Sequence, residues 1–330
     1  MKNYFKIKPR LDTLEQNKIN GKSAERYFAA LLTVALEARV FWGTRTEDDS
    51  KVDLMTVLSH PWLENRVEVI FTQVKSGLSY CEIKNKRLVV HKGKFNHLTK
   101  RNHNTLVCWS TVNNNCPYWF IIKANSSYFR TTYSEIHMLN PASRFDIIRI
   151  LTSTAIKDGG KGLIFKRKNS RQEYSNQDFI SLRVKAKRIF NDLKTSELYN
   201  PLFGKIEFTR LRWRHMTRAS RLNNYKIASY EIIPILKFLL SKTPSKHYLF
   251  DYENKNEKEN EYRYNEYLME YDNVKCYDNE SGEKIEIKIY VKLLELIGYN
   301  KNWRDVANTT TETNRRVIFK SIYYKTKRSS

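Results

Sequence analysis

The order of hydrophobic patterns predicts an α/β protein. Residues 1–140 are expected to form a compact unit of helix, three-stranded meander, helix and strand, and residues 141–330 a basic, mainly helical domain. Three observations carry that expectation. An apolar helical period is followed by three short alternating segments and a later apolar run; the second half holds three segments of helical spacing; and positive charge is gathered into blocks. A chain of 330 residues, 41% hydrophobic, is long enough for two domains that each bury a core.

In order, GKSAERYFAALLTVALEARV from Gly21 places Phe28, Leu31, Leu32 and Ala35 on one helix face. RVFW and KVDLMTVL follow as strands, SHPWLENR turns the chain, and VEVIFTQVK is the third strand. In that strand Val67, Val69 and Phe71 alternate with Glu68, Ile70 and Thr72, so the valine face is expected to be the buried one. RLVVHKGKFNHLTKRNHNTLVCW is expected to be a strand, then a helix through Phe95, Leu98, Asn102 and Trp109, and PYWFIIKA closes the unit as a strand.

The second half offers ASRFDIIRILTSTAIK, FISLRVKAKRIFNDL and YEIIPILKFLLSK as helices, the last begun or kinked by Pro234. IEFTRLRWRHMTRASR makes a guanidinium ridge in either conformation: Arg210, Arg212 and Arg214 align in a strand, Arg214, Arg218 and Arg221 in a helix. YENKNEKENEYRYNEY lacks core aliphatics and reads as a solvated loop or frayed helix.

No window holds eighteen uncharged apolar residues, and the N-terminal MKNYFKIKPR lacks a signal-peptide core, so a cytoplasmic protein without a membrane partner is expected. Cys81, Cys108, Cys116 and Cys276 form no C-x-x-C pair, which argues for reduced thiols and against structural zinc.

The net charge of +24 points to a polyanionic partner, for which nucleic acid is the natural candidate. The charge is sorted. Lys84 to His103 holds seven basic residues and no acid; Lys161 to Lys226 holds 17 basic and 5 acidic; Lys301 to Ser330 holds 8 and 2; Asp251 to Glu286 reverses the balance with 12 acidic and 5 basic. Uniform compositional bias would not produce such blocks. Lys92, Lys94, Lys100 and Arg101 in the first block, and Arg210, Arg212, Arg214, Arg218 and Arg221 in the second, are the expected backbone contacts, with Trp213 able to stack on a base or pack in a core.

Four residues place a charge or amide where the local pattern asks for carbon. Glu25 shares a helix face with Phe28, Leu32 and Ala35; Asp53 interrupts KVDLMTVL on the face of Met55 and Val57; Gln73 and Lys75 end the valine face of the third strand. If the second and third strands pair across SHPWLENR, Asp53 lies near Gln73 and Lys75, with Glu25 supplied from the helix. Oxygen ligands of this kind suit Mg²⁺ or Mn²⁺, and a neighbouring lysine can orient water and neutralise phosphoryl charge. Asp53 could instead pair with Arg45 or Lys51, while Glu47, Asp48 and Asp49 read as a solvated turn.

Acid, spacer and Q-x-K on the next strand resembles the PD-(D/E)XK nuclease superfamily, in the variant where glutamine replaces the second carboxylate. GKSAE at 21–25, TEDDSKVDL at 46–54 and QVKSG at 73–77, followed by CW and CPYWFII, are similar to a bacterial family of restriction-endonuclease-like domains found in phage-defence loci. The resemblance covers Gly21 to Ala124, and Val52 stands where the superfamily name has proline. It implies a metal-dependent DNA endonuclease acting in antiviral defence. Asp53 would be the principal metal ligand, Gln73 would hold the second ligand position, Glu25 would assist metal or water, and Lys75 would be the catalytic lysine. Two rivals remain: a non-cleaving nucleic-acid-binding module of the same fold, and a sensor subunit whose basic second domain meets an acidic protein and is masked at rest by Asp251 to Glu286.

Overall fold

The structure is a computed structural model that describes residues 13–43, 52–111, 116–155, 158–167, 175–278, 282–304 and 312–326, with side chains in the first helix from Asn20 onward. The expectations for Arg45, Glu47, Asp48, Asp49 and Lys51 lie outside the described residues. Contacts divide the chain into two units, one of Met1–Ser59, Val67–Arg144 and Trp303–Thr311, the other of His60–Arg66, Phe145–Asn302 and Glu312–Ser330.

The first unit is a mixed α/β arrangement. Helix α1 (Thr13–Leu36) ends where Glu37 enters the left-handed region at φ 50°, a common way to stop a helix. It packs on strands β1 (Arg39–Trp42), β2 (Leu54–Ser59) and β3 (Val67–Ser76). After β3 the chain forms a small hairpin, β4 (Cys81–Lys84) and β5 (Arg87–Val90), across Asn85 and Lys86, both at positive φ as a two-residue primed turn requires. Then come β6 (Thr105–Ser110), β7 (Tyr118–Ile122) and β8 (Thr132–Tyr133). The main sheet runs β1-β2-β3-β6-β7, antiparallel except for the parallel β3–β6 pair, while β4-β5-β8 form a second small sheet.

Two expectations are corrected here. The segment from Phe95 to Trp109 is not an α-helix: after a 3-10 turn at Lys92–Lys94 it makes a second at Asn96–Lys100, and Trp109 lies in β6. Its apolar residues were read at helical spacing, whereas Phe95 and Leu98 pack with Val107 and Trp109 as separate contributors to one core. Nor is the valine face of β3 the core face. Leu54, Thr56, Leu58, Ile70, Thr72 and Val74 are buried, with a Thr56–Thr72 hydroxyl bond of 2.8 Å among them, while Val67 and Val69 are 46% and 54% exposed. The small sheet covers the other face only toward β6 and β7, where Val107, Trp109, Tyr118 and Phe120 meet Leu88, Val90 and Phe129.

The second unit is where the expectation of a mainly helical domain fails. It does contain α2 (Ser143–Ala155, whose first two residues fall in the first unit), α3 (Asn176–Thr195), α4 (Arg210–Thr217), α5 (Asn223–Ile232) and α6 (Leu236–Leu240), with Pro234 in the 3-10 turn Ile233–Ile235 between α5 and α6. Ser175 caps α3 by accepting the Asp178 amide. Short strands β9 (Ile164–Arg167), β10 (Tyr199–Asn200) and β11 (Gly204–Lys205) intervene. From Lys246 onward, however, the described chain is β: β12 (Lys246–Asn256), β13 (Asn260–Tyr271), β14 (Lys275–Asp278), β15 (Lys284–Ile285), β16 (Ile287–Asn300) and β17 (Thr313–Thr326). Strands β12-β13-β16-β17 form an antiparallel sheet, and Phe190, Trp213, Tyr230 and Leu236 from the helices share a core with Met269, Val291, Leu293 and Phe319 of its strands.

The polar segment read as a loop is the β12–β13 hairpin, and its chemistry explains the misreading. The face that β13 buries carries Arg263, Asn265, Tyr267, Met269 and Tyr271, so polarity lies inside. Arg263 pairs with Asp146 at 2.7 Å, Arg149 with Asp146 at 3.0 Å and Glu295 at 2.6 Å, and Arg315 with Glu295 at 2.7 Å. Asn265 donates to Glu295 at 3.1 Å, and Arg315 also lies 4.5 Å from the Trp62 ring centroid. Burial alone would push the Glu295 carboxyl up, but Arg149, Arg315 and Arg263 overcome it and hold it at about 2. These paired charges are buried although no hydrocarbon pattern announces them, and buried Arg149 Nε and Asn265 Oδ1 still lack a hydrogen bond. Within the acidic segment, Glu266 pairs with Lys292 and Lys320, and Glu270 with Lys288, all within the same sheet.

Candidate active site

The site of the first unit forms where β2 starts. The β2–β3 ladder ends at Leu54 opposite Thr72, so β3 runs on beyond its partner and Asp53 stands at the end of the ladder, beside Gln73. The strand therefore begins one residue after Asp53 and is not interrupted by it. Backbone bonds seat Asp53 from both sides, its amide donating to Thr72 at 3.1 Å and its carbonyl accepting from Gly43 at 3.0 Å. Gly43 is needed there, since a Cβ would come within 2.5 Å of the Val52 carbonyl oxygen.

The Val74 amide donates to Asp53 Oδ2 at 2.5 Å. Lys75 Nζ lies 3.9 Å from the same oxygen and 5.6 Å from the Tyr80 ring centroid. Gln73, 1% exposed, presents a buried amide oxygen that accepts no hydrogen bond. An orphaned acceptor beside a carboxylate is an oxygen site suited to a cation.

Arg101 joins this group and His103 lies near Arg101; the motif included neither. Burial lowers the pKa of Arg101 and the charge of Asp53 partly restores it, which places the guanidinium within the field of the carboxylate. Arg101 follows the second 3-10 turn and is half-buried, so the expected surface contact is in fact drawn toward the site. His103 packs edge-on against Phe71 with centroids 4.5 Å apart, and burial followed by Arg101 lowers its pKa. Its buried Nε2 and the Thr105 hydroxyl accept and donate no hydrogen bond. Only the parallel β3–β6 register, Phe71 beside Thr105 and Gln73 beside Val107, brings these residues to β3.

Glu25 sits half-buried on the face of α1 that carries Phe28 and Leu32. Among the described residues no group of three acidic, histidine or cysteine side chains could hold a metal ion, so carboxylates alone do not complete a site. Asp53 and the Gln73 amide oxygen are oxygen donors of the kind that suit a weakly held Mg²⁺ or Mn²⁺ keeping water ligands; they do not suit zinc.

The expected basic contacts divide. Lys92, Lys94 and Lys100 are exposed on the 3-10 turns. Residues Arg210 to Thr217 are helical, with Arg210, Arg214 and Arg218 exposed and Arg212 half-buried. Arg221 leaves the ridge: it turns inward to donate to the Met216 carbonyl and the Ser229 hydroxyl, each at 3.0 Å, closing the end of α4 against α5. Trp213 packs in the core against Phe190 and Tyr230. Burial, and after it Arg218, Arg212, Lys320 and Arg221, lower the pKa of His215, which marks a convergence of cations on this surface. All four cysteines are free thiols, and among the described residues no helix is long and apolar enough to cross a membrane.

Compared with known proteins, the chain matches no family model, no curated protein and no solved structure.

Proposed function

We propose that the first unit is a metal-dependent nuclease domain hydrolysing phosphodiester bonds, with DNA as substrate, and that the basic second unit grips the nucleic-acid backbone. The observation that carries this reading is the Asp53 carboxylate 3.9 Å from Lys75 Nζ, beside the unpartnered amide oxygen of Gln73. Asp53, Gln73 and Glu25 would hold Mg²⁺ or Mn²⁺, which when bound supplies Lewis-acid polarisation of the phosphate and of a coordinated water. Lys75 offsets charge that builds on the phosphoryl oxygens, and Arg101 can take a non-bridging oxygen through its planar donors. The preference for DNA and a role in bacterial phage defence rest on the resemblance alone.

A second reading, a binding module of the same architecture without cleavage, is favoured by one contact. Asp53 Oδ2 already accepts the Val74 amide at 2.5 Å, a structural task for the residue that would bind metal, and Gln73 adds no charge. Incubation of the full chain with plasmid, single-stranded DNA and RNA, with Mg²⁺, Mn²⁺ or chelator, separates the two. Metal-dependent cleavage lost in Asp53→Asn and Lys75→Ala supports the nuclease. Retention of DNA without cleavage in either metal supports the binding module. Neither cleavage nor retention overturns both and leaves a basic surface for an acidic protein partner.

A further inference from the structure

The second unit contains a cavity of about 400 Å³ that the nuclease reading does not use. That volume is in the range of small-molecule sites. Its wall has two chemistries. Leu182, Tyr230 and Ile235 make it apolar on the side of α3, α5 and the 3-10 turn that follows, while Lys166, Arg167, Lys185 and Glu231 supply charge.

Arg167 is the unusual member. It is only 5% exposed, and its one hydrogen bond runs from Nη1 to the Tyr324 hydroxyl at 3.3 Å. Its buried Nε has no acceptor, an arrangement that is costly for a guanidinium unless something else fills the position. Tyr324 in turn donates to Glu231 Oε2 at 2.7 Å, so Arg167, Tyr324 and Glu231 form a fixed polar strip along the cavity. Lys166 and Lys185 are exposed beside it.

Three cations against one carboxylate leave two positive charges on the wall. A phosphate monoester, with about 1.5 to 2 negative charges near neutral pH, matches that excess better than a monocarboxylate does. Arginine is suited to phosphate through its Nε–Nη edge, and Nε is the atom left unpaired. Glu231 adds an acceptor for a ligand N–H, and half-buried Leu182 and Ile235 offer apolar surface to the organic part.

We propose that this cavity binds a small organic phosphate of mononucleotide size, with the phosphate at Arg167 and Lys185, the organic part against Leu182 and Ile235, and an amino or ring N–H at Glu231. The site is independent of Asp53 and Lys75, and its occupant is a ligand, not a substrate for cleavage.

AMP and GMP serve as probes in calorimetric titration of the full chain, with adenosine and inorganic phosphate as controls. At least one nucleotide should saturate below about 1 mM, and adenosine and phosphate should each bind at least about tenfold more weakly. Lys185→Glu, at an exposed position of α3 where folding is not at stake, should weaken the nucleotide by about tenfold or more, while Arg214→Glu on α4 should leave it unchanged. Arg167→Lys, which keeps the charge and removes Nε, should weaken it similarly in protein whose circular dichroism matches the parent. No saturation by either nucleotide overturns the proposal. So does adenosine binding as tightly as AMP, or equal weakening by Lys185→Glu and Arg214→Glu, which would mark diffuse attraction to a basic surface.

Discussion

Replacing Glu295 by glutamine should remove most of what the buried ionic network contributes to the second unit. The carboxylate is fully buried and takes Arg149 at 2.6 Å, Arg315 at 2.7 Å and Asn265 at 3.1 Å. Glutamine preserves the volume and one acceptor but leaves Arg149, Arg263 and Arg315 facing Asp146 as the remaining carboxylate of the cluster. Two routes give the magnitude. A carboxyl held at about 2 instead of 4.5 corresponds to about 3 kcal/mol at roughly 1.4 kcal/mol per pH unit. Removing one partner of a buried pair typically costs about 3–5 kcal/mol. The expected loss is therefore about 3 kcal/mol near neutral pH.

Its pH dependence has a definite sign. Because the folded carboxyl titrates below the unfolded one, the stabilisation is complete above about 4.5 and is lost as pH falls toward about 2. Wild type should weaken progressively across that window; Glu295→Gln should be weak already at pH 7 and lack this share of the acid dependence. Hydrogen exchange of the Ile287–Asn300 peptides, corrected for intrinsic rates, measures it within the full chain, with Thr105–Ser110 of the other unit as internal reference. A variant within about 0.5 kcal/mol of wild type, or one with an unchanged acid profile, would refute the argument that these charges stabilise as a network.

Asp53 separates structure from chemistry: Asp53→Ala should destabilise the first unit by about 1–3 kcal/mol by stranding the Val74 amide, whereas Asp53→Asn, which keeps an acceptor, should cost less than about 1 kcal/mol, as read by denaturant unfolding. Reversing Arg212 and Arg214 to glutamate should lower nucleic-acid affinity and flatten the slope of log K against log salt by about two in fluorescence anisotropy titrations; an unchanged slope assigns that surface to another partner. Trp109→Ala should cost about 3–5 kcal/mol, since the indole is fully buried and donates to the Gly77 carbonyl at 2.9 Å, and near-native thermal stability would contradict that packing. Gln73→Glu should raise Mg²⁺-dependent cleavage by supplying a second carboxylate, and loss of activity in a folded variant would count against a metal role for this position.

What the sequence by itself determined is the local part of the first unit. Helix α1, the meander of β1 to β3 and the late apolar strand β7 follow from periodicity, whereas β6 falls where a helix is expected; SHPWLENR joins two strands that pair antiparallel, so the approach of Asp53 to Gln73 and Lys75 was legible from a short turn and a register. The alternation of Ile287, Ile289, Val291 and Leu293 with Lys288, Tyr290 and Lys292 was equally plain as a strand signal, and the expectation of a helical domain passed over it.

Tertiary structure alone decided the rest. Arg101 and His103 reach the site only through the parallel β3–β6 pair, whose partners lie more than thirty residues apart and carry no turn signal between them. The β12–β13 hairpin looked solvated because its inward face is arginine, asparagine and tyrosine; its charge is buried because the fold brings carboxylates from α2 and β16, and no window of sequence contains those partners. The open valine face of β3 makes the same point in reverse. Alternation says that two faces differ, but which one water reaches depends on what the remainder of the chain lays over them.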